Sequence, residues 1–152
     1  MAQGDFTLFE EFAKYEADGS HNMETDTFKV MFVTNAAVPT AATASPDTSL
    51  FTEVTGTNYA AGGATLTTTF TEAGGVATFD STTNPSWTTS PSGPNNIYYG
   101  IVYNSSHANS PSHNAVGFVD MTPDGGTTPI SLQSGDISIT WNASGLYTKT
   151  IT

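Results

Sequence analysis

Ile97-Tyr98-Tyr99-Gly100-Ile101-Val102-Tyr103 decides the fold class. Every position except Gly100 is aromatic or aliphatic, and a short apolar run of this kind, rich in β-branched and aromatic residues, is a strand buried on both faces. It is placed at the centre of a sheet. Ala115–Met121 is the next apolar run along the chain and its expected antiparallel partner, beyond a polar excursion over residues 105–114. On the N-terminal side, Phe28-Lys29-Val30-Met31-Phe32-Val33 is apolar on both faces apart from Lys29, again an interior strand.

Turn chemistry separates the remaining elements. Ala64–Thr71 and Val76–Asp80 flank Glu72-Ala73-Gly74-Gly75, where two glycines supply the positive φ of a hairpin. Residues 91–96, Pro-Ser-Gly-Pro-Asn-Asn, punctuate the chain before the central strand. Ile137, Ile139 and Trp141 alternate with Ser138, Thr140 and Asn142, the pattern of a strand with one face in solvent. A turn at Asn142–Gly145 leads into a last strand, Leu146–Ile151. One helical pattern stands before all of these. Leu8, Phe9, Phe12 and Ala13 share a face over Phe6–Ala17, opposite Glu10, Glu11 and Lys14, with Asp5 as N-cap and Asp18-Gly19 as stop, and the apolar side (Leu8, Phe9, Phe12) would either close one end of the sandwich or dock onto a neighbouring subunit. The expectation is an all-β antiparallel sandwich, jelly-roll or immunoglobulin-like, of seven or eight strands with one short N-terminal amphipathic helix, in a single domain over residues 1–152. Residues 1–17 and the aperiodic Ala-, Pro-, Thr- and Ser-rich loop 35–49 are the candidate arms.

Composition narrows the function. Lys14, Lys29 and Lys149 are the only cations against fourteen carboxylates, a net charge of -11. A nucleic-acid binder draws its affinity from Lys and Arg contacts with phosphate, and three scattered lysines provide no patch, so nucleic acid and anionic membrane are both excluded as partners. Charged residues are only 11% of the chain, and the polarity comes from Thr and Ser, which suit half-wet β-structure. There is no cysteine, hence neither disulfide nor thiolate chemistry. The first residues lack the pattern of a secretory signal, and no apolar run is long enough to span a bilayer.

Candidate chemistry is sparse. Asp18, Ser20, Asn22, Glu24 and Asp26 alternate like the first positions of a calcium loop, but Met23 stands where glycine is needed and Lys29 where a bidentate glutamate belongs. Asp120, Asp124 and Asp136 read as acidic turn residues. His107 and His113 share one loop with Ser105, Ser106 and Ser112, without the rigid turn or the orienting carboxylate that a nucleophile requires, and His21 is far away in sequence. Glu53, Glu72 and Asp80 offer carboxylates whose separation the sequence does not reveal. Tyr98, Tyr99, Tyr103, Tyr147, Trp87 and Trp141 would form either a sugar-stacking platform or a packed core. Asn104-Ser-Ser and Asn142-Ala-Ser match a glycosylation sequon, read as accidental. The expectation is a protein without catalytic residues, cofactor or metal.

The order of several segments resembles a known family. These are Asp26-Thr-Phe-Lys-Val30, the run from Phe51 to Leu66 with its Glu53-x-x-Gly56-x-x-Tyr59-x-x-Gly62-Gly63 element, Ala77-Thr-Phe-Asp80 leading to Ser86-Trp-Thr88, Tyr99–Tyr103, Val116–Asp120 and a terminal Ile139-Thr-Trp-Asn-Ala-Ser-Gly145. Together they resemble small virion structural proteins of tailed bacteriophages, some of them taken to be capsid decoration (cement) proteins, over almost the whole chain from Phe6. The resemblance implies a late structural protein, made in the host cytoplasm, that binds the outer surface of the major capsid protein shell as a trimer or other symmetric cluster. Phe6, Leu8, Phe9 and Phe12 are then candidate partner contacts, and Gly56, Tyr59, Gly62 and Gly63 a structural turn motif. A neck, tail or fibre component and a carbohydrate-binding or adhesion module are the alternatives. The net negative charge favours the outside of a shell over a surface lying against packaged DNA.

Overall fold

A computed structural model describes residues 3–107 and 113–150. The chain is an antiparallel β-sandwich. Ten strands form a five-stranded sheet of order β1-β8-β7-β2-β3, a three-stranded sheet β10-β5-β4 and a two-stranded pair β6-β9. The strands are β1 (Phe6–Leu8), β2 (Phe28–Val33), β3 (Ala64–Thr65), β4 (Thr68–Ala73), β5 (Val76–Ser81), β6 (Ser86–Trp87), β7 (Tyr99–Asn104), β8 (Ala115–Asp120), β9 (Ile137–Ser138) and β10 (Tyr147–Thr150), with one helix, α1 (Phe12–Ala17).

The strand predicted to be central is central. β7 lies between β2 and β8, pairing Val30 with Val102 and Ile101 with Phe118, and every residue of β7 and β8 is buried. Burial on both faces requires two covering layers. On one face Phe28 meets Phe79 of β5 edge to face at 5.0 Å, and Phe32 meets Trp87 of β6 at 4.2 Å. On the other, Phe9 packs on Phe118 at 5.3 Å and on Phe51 at 6.2 Å.

Three elements differ from the sequence reading. The helical spacing over Phe6–Ala17 is realised only from Phe12, because Phe6–Leu8 pairs with β8 as an edge strand. The run Ala64–Thr71 is not one strand but two. β3 pairs with β2, the chain crosses between sheets at Leu66-Thr67, and β4 pairs with β5. Leu66 stays buried at the crossing while its N–H donates to the Phe28 carbonyl at 2.9 Å. The strand predicted over Ile137–Trp141 keeps its alternation of burial, but only Ile137 and Ser138 pair, with β6. The hairpin β4–β5 turns at Gly74 and Gly75, with φ of 62° and 83°. Of the predicted last strand, Tyr147–Thr150 pairs with β5 and Ile151 lies outside the described residues, as does Ser112.

Candidate interaction surface

Phe9 and Phe12 are 1% and 2% exposed, so two of the four aromatic or aliphatic partner contacts predicted for the N-terminal segment are spent on the chain's own core. Phe12 sits edge to face on Tyr147 of β10 at 5.4 Å. Glu16 then fastens the helix to the same strand, accepting from the Tyr147 hydroxyl at 3.1 Å and from Lys149 Nζ at 3.2 Å. Phe6 and Leu8 are half-buried on β1. The described part of residues 1–17 is therefore the lid and edge of the sandwich. The physical reason is the width of its apolar stripe: Phe9 and Phe12 each gain about 2–3 kcal/mol from burial, which holds the segment down.

Loop 35–49 is also fastened to the body. Its Ala41 carbonyl accepts from the Glu10 N–H at 2.9 Å, its Ser45 N–H donates to Glu11 Oε2 at 3.0 Å, and its Pro46 carbonyl accepts from the Ala115 N–H at 3.1 Å. Asn114 Oδ1 receives the Thr48 N–H at 2.9 Å. Between these attachments Val38 remains 58% exposed and Leu50, just beyond the loop, 45% exposed. They are the only large apolar side chains left open among the described residues.

The turn motif closes the edge of the five-stranded sheet. β3 covers β2 only as far as Val30, and Tyr59 takes over where it stops. The Phe32 N–H donates to the Tyr59 hydroxyl at 2.8 Å, and that hydroxyl donates to Glu53 Oε1 at 2.8 Å. The same carboxylate oxygen receives the Gly62 N–H at 2.6 Å, while the Gly62 carbonyl accepts from the Tyr103 hydroxyl at 2.8 Å. Burial, and then the bond to Glu53, pushes the Tyr59 phenol up, so it stays protonated. Gly63 is required by contact. A β-carbon there would lie 1.9 Å from the Val30 carbonyl oxygen, and its φ is +71°. Gly56 likewise lies against the Gly93-Pro94 backbone, with 2.5 Å between a β-carbon and Pro94 N. Lys29, the lone charge of β2, is half-buried with its ammonium beside Gly62.

The remaining candidates are absorbed by local structure. Asp18 accepts from the Ser20 N–H, Asn22 from the N–H groups of Glu24 and Thr25, and Asp26 from the Asn22 N–H and from Asn104 Nδ2 at 2.6 Å. Asp120 binds Thr122, Asp124 binds Thr127 and Thr128, and Asp136 receives the Thr89 N–H at 2.7 Å. Glu72 caps its own hairpin at Gly75, and Asp80 accepts from its neighbour Ser81. Among the described residues no group of three or more His, Asp and Glu side chains is arranged to hold a metal ion. No helix among them is long and apolar enough to cross a membrane. Trp87, Tyr99 and Tyr103 are buried, which removes half of the aromatic platform, and Asn104 of the first sequon is buried as well.

One grouping had no signal in the sequence. His21 and His107, both buried, lie 5.0 Å apart between ring centroids, with Asn104 Nδ2 3.3 Å from His21 Nδ1 and Phe12 against the His21 ring. Burial, and then the neighbouring His107, lowers the His21 pKa to about 4. His113 stacks on Tyr15 at 4.3 Å. Only the pairing of β2 with β7 brings residues 21 and 107 together, so their separation in sequence hides the contact. Comparison of the chain with family models, with curated proteins and with solved structures gives no match.

Proposed function

We propose that this chain is a virion structural protein of a tailed bacteriophage, a head decoration protein that binds the outer surface of the major capsid protein shell and stabilises it. The observation that carries the reading is the anchored loop with the turn that follows it, which leave Val38 and Leu50 open. Open aliphatic side chains on a fastened segment give a partner apolar area to bury without the cost of ordering a mobile arm. The net charge of -11 suits the outside of a shell, where no packaged phosphate opposes it. A trimer or other symmetric cluster would repeat the contact about the local symmetry of the shell.

The test is co-sedimentation of the purified chain with purified shells that lack it. Expected is saturable association at many sites per shell, together with a higher temperature of shell disruption. No association, or binding confined to particles carrying a neck and tail, contradicts the head assignment.

A further inference from the structure

The five-stranded sheet ends on β1 and the three-stranded sheet ends on β10. Both edge strands line one groove of about 560 Å³, β1 through Phe6 and Thr7 and β10 through Tyr147 and Thr148, with Trp141 and Asn142 between them. In an antiparallel ladder, alternate residues turn their N–H and C=O towards the neighbouring strand and the others turn them away. The Phe9 N–H donates to the Val116 carbonyl at 3.1 Å, and Thr7 stands opposite Phe118 two residues earlier in the same register. Phe6 and Leu8 therefore direct their backbone groups away from β8. Among the described residues β10 pairs with β5 on one side only, so alternate residues of Tyr147–Thr150 do the same.

Exposed sheet edges are commonly protected by lysine, proline, or a covering segment. β1 reads Phe-Thr-Leu, with neither lysine nor proline, and the lysine of β10, Lys149, is paired with Glu16. Trp141 meets Phe6 edge to face at 6.3 Å, and its indole N–H is shielded from solvent without an acceptor among the described residues. A buried indole ordinarily has a hydrogen-bond partner. Asp5 is the one carboxylate of the lining, which contains no lysine.

We propose that this groove receives an extended segment of a partner protein, which adds as a β-strand to the edges with apolar side chains towards Phe6 and Trp141 and basic side chains towards solvent and the acidic surface of the chain. Charge selects the partner. A second copy would bring another net charge of -11, whereas a Lys- or Arg-bearing strand is attracted. Strand addition draws affinity from main-chain hydrogen bonds and specificity from alternate side-chain positions. At about 3.4 Å per residue, edges of this length accommodate roughly four or five residues. The inference does not rest on the virion reading.

The test is an NMR titration of the full chain with a panel of ten-residue peptides that alternate Lys or Arg with Val, Ile or Tyr. Expected are saturable shifts of the Trp141 indole N–H, new protection from hydrogen exchange at Phe6, Leu8 and alternate residues of 147–150, and binding at least about tenfold weaker when Glu replaces the basic residues or the peptide backbone is N-methylated. Shifts scattered over the carboxylates with no new protection on β1 or β10 would overturn it. So would equal binding by the N-methylated peptides, absence of saturation throughout the panel, or a soluble oligosaccharide that shifts Trp141 where no peptide does.

Discussion

Tyr59 replaces a strand with a hydroxyl. Its removal in Tyr59→Phe leaves the buried Phe32 N–H without its acceptor and takes from Glu53 one of its two donors, the Gly62 N–H remaining. The expected loss is about 1–3 kcal/mol, read as a lower urea midpoint with the circular dichroism spectrum unchanged. Gly63→Ala acts through contact with the Val30 backbone, which has nowhere to move inside the sheet. It should cost at least ~3 kcal/mol, measured the same way, or abolish soluble expression. His21 gives the chain a dependence on acidity. Folded His21 stays neutral down to about pH 4, whereas in the unfolded chain it takes up a proton below about 6.5. Stability should fall as pH drops from 6.5 to 4 and should lose nothing further to this group below that. His107 opposes protonation, while Asp26 and Asp18 and the His113 backbone favour it without offsetting burial. Urea midpoints of the wild type and His21→Gln at pH 7, 5.5 and 4 check this, the wild type showing the steeper decline.

Among the elements, those with strong local pattern were legible from sequence. β2, β7 and β8 announce themselves as apolar runs, and the β4–β5 hairpin by Gly74-Gly75. β1 was hidden because Phe6 and Leu8, which alternate about Thr7 as a strand requires, also fit the helical spacing that Phe9 and Phe12 continue. The split of β3 from β4 has no marker, since Leu66 and Thr67 suit a strand in either sheet. The Glu53 to Gly63 turn was visible as a motif, but its bond to Phe32 depends on where β3 stops. The groove between β1 and β10 joins the two ends of the chain and has no local signature. For loop 35–49 the consequence is specific. Val38→Asp with Leu50→Asp exposes charge where solvent already reaches, so stability should change by less than about 0.5 kcal/mol per site. Shell association should fall at least about tenfold, measured by sedimentation. Unchanged occupancy would remove the loop from the contact.

At the scale of the molecule, charge and anchoring act together. The body is a sandwich whose central strands are covered on both sides, and its one described ion pair, Lys149 with Glu16, holds α1 to β10. Lys14 lies over the Tyr15 ring at 5.1 Å, and Lys29 beside Gly62. Each lysine thus has a contact with the body, although Lys14 and Lys149 stay exposed, and the outward surface is dominated by Asp5, Glu10, Asp18, Glu24, Glu72, Asp124 and Asp136, all exposed. Such a surface keeps particles apart in solution and away from phosphate. Reconstruction of purified virions by cryo-electron microscopy tests the assignment most directly, because copy number, location and orientation come from one map. Expected are copies in the hundreds on the outer face of the head, in symmetric clusters with Val38 and Leu50 against the shell; absence from the head, or about six or twelve copies at the neck or tail, would contradict it.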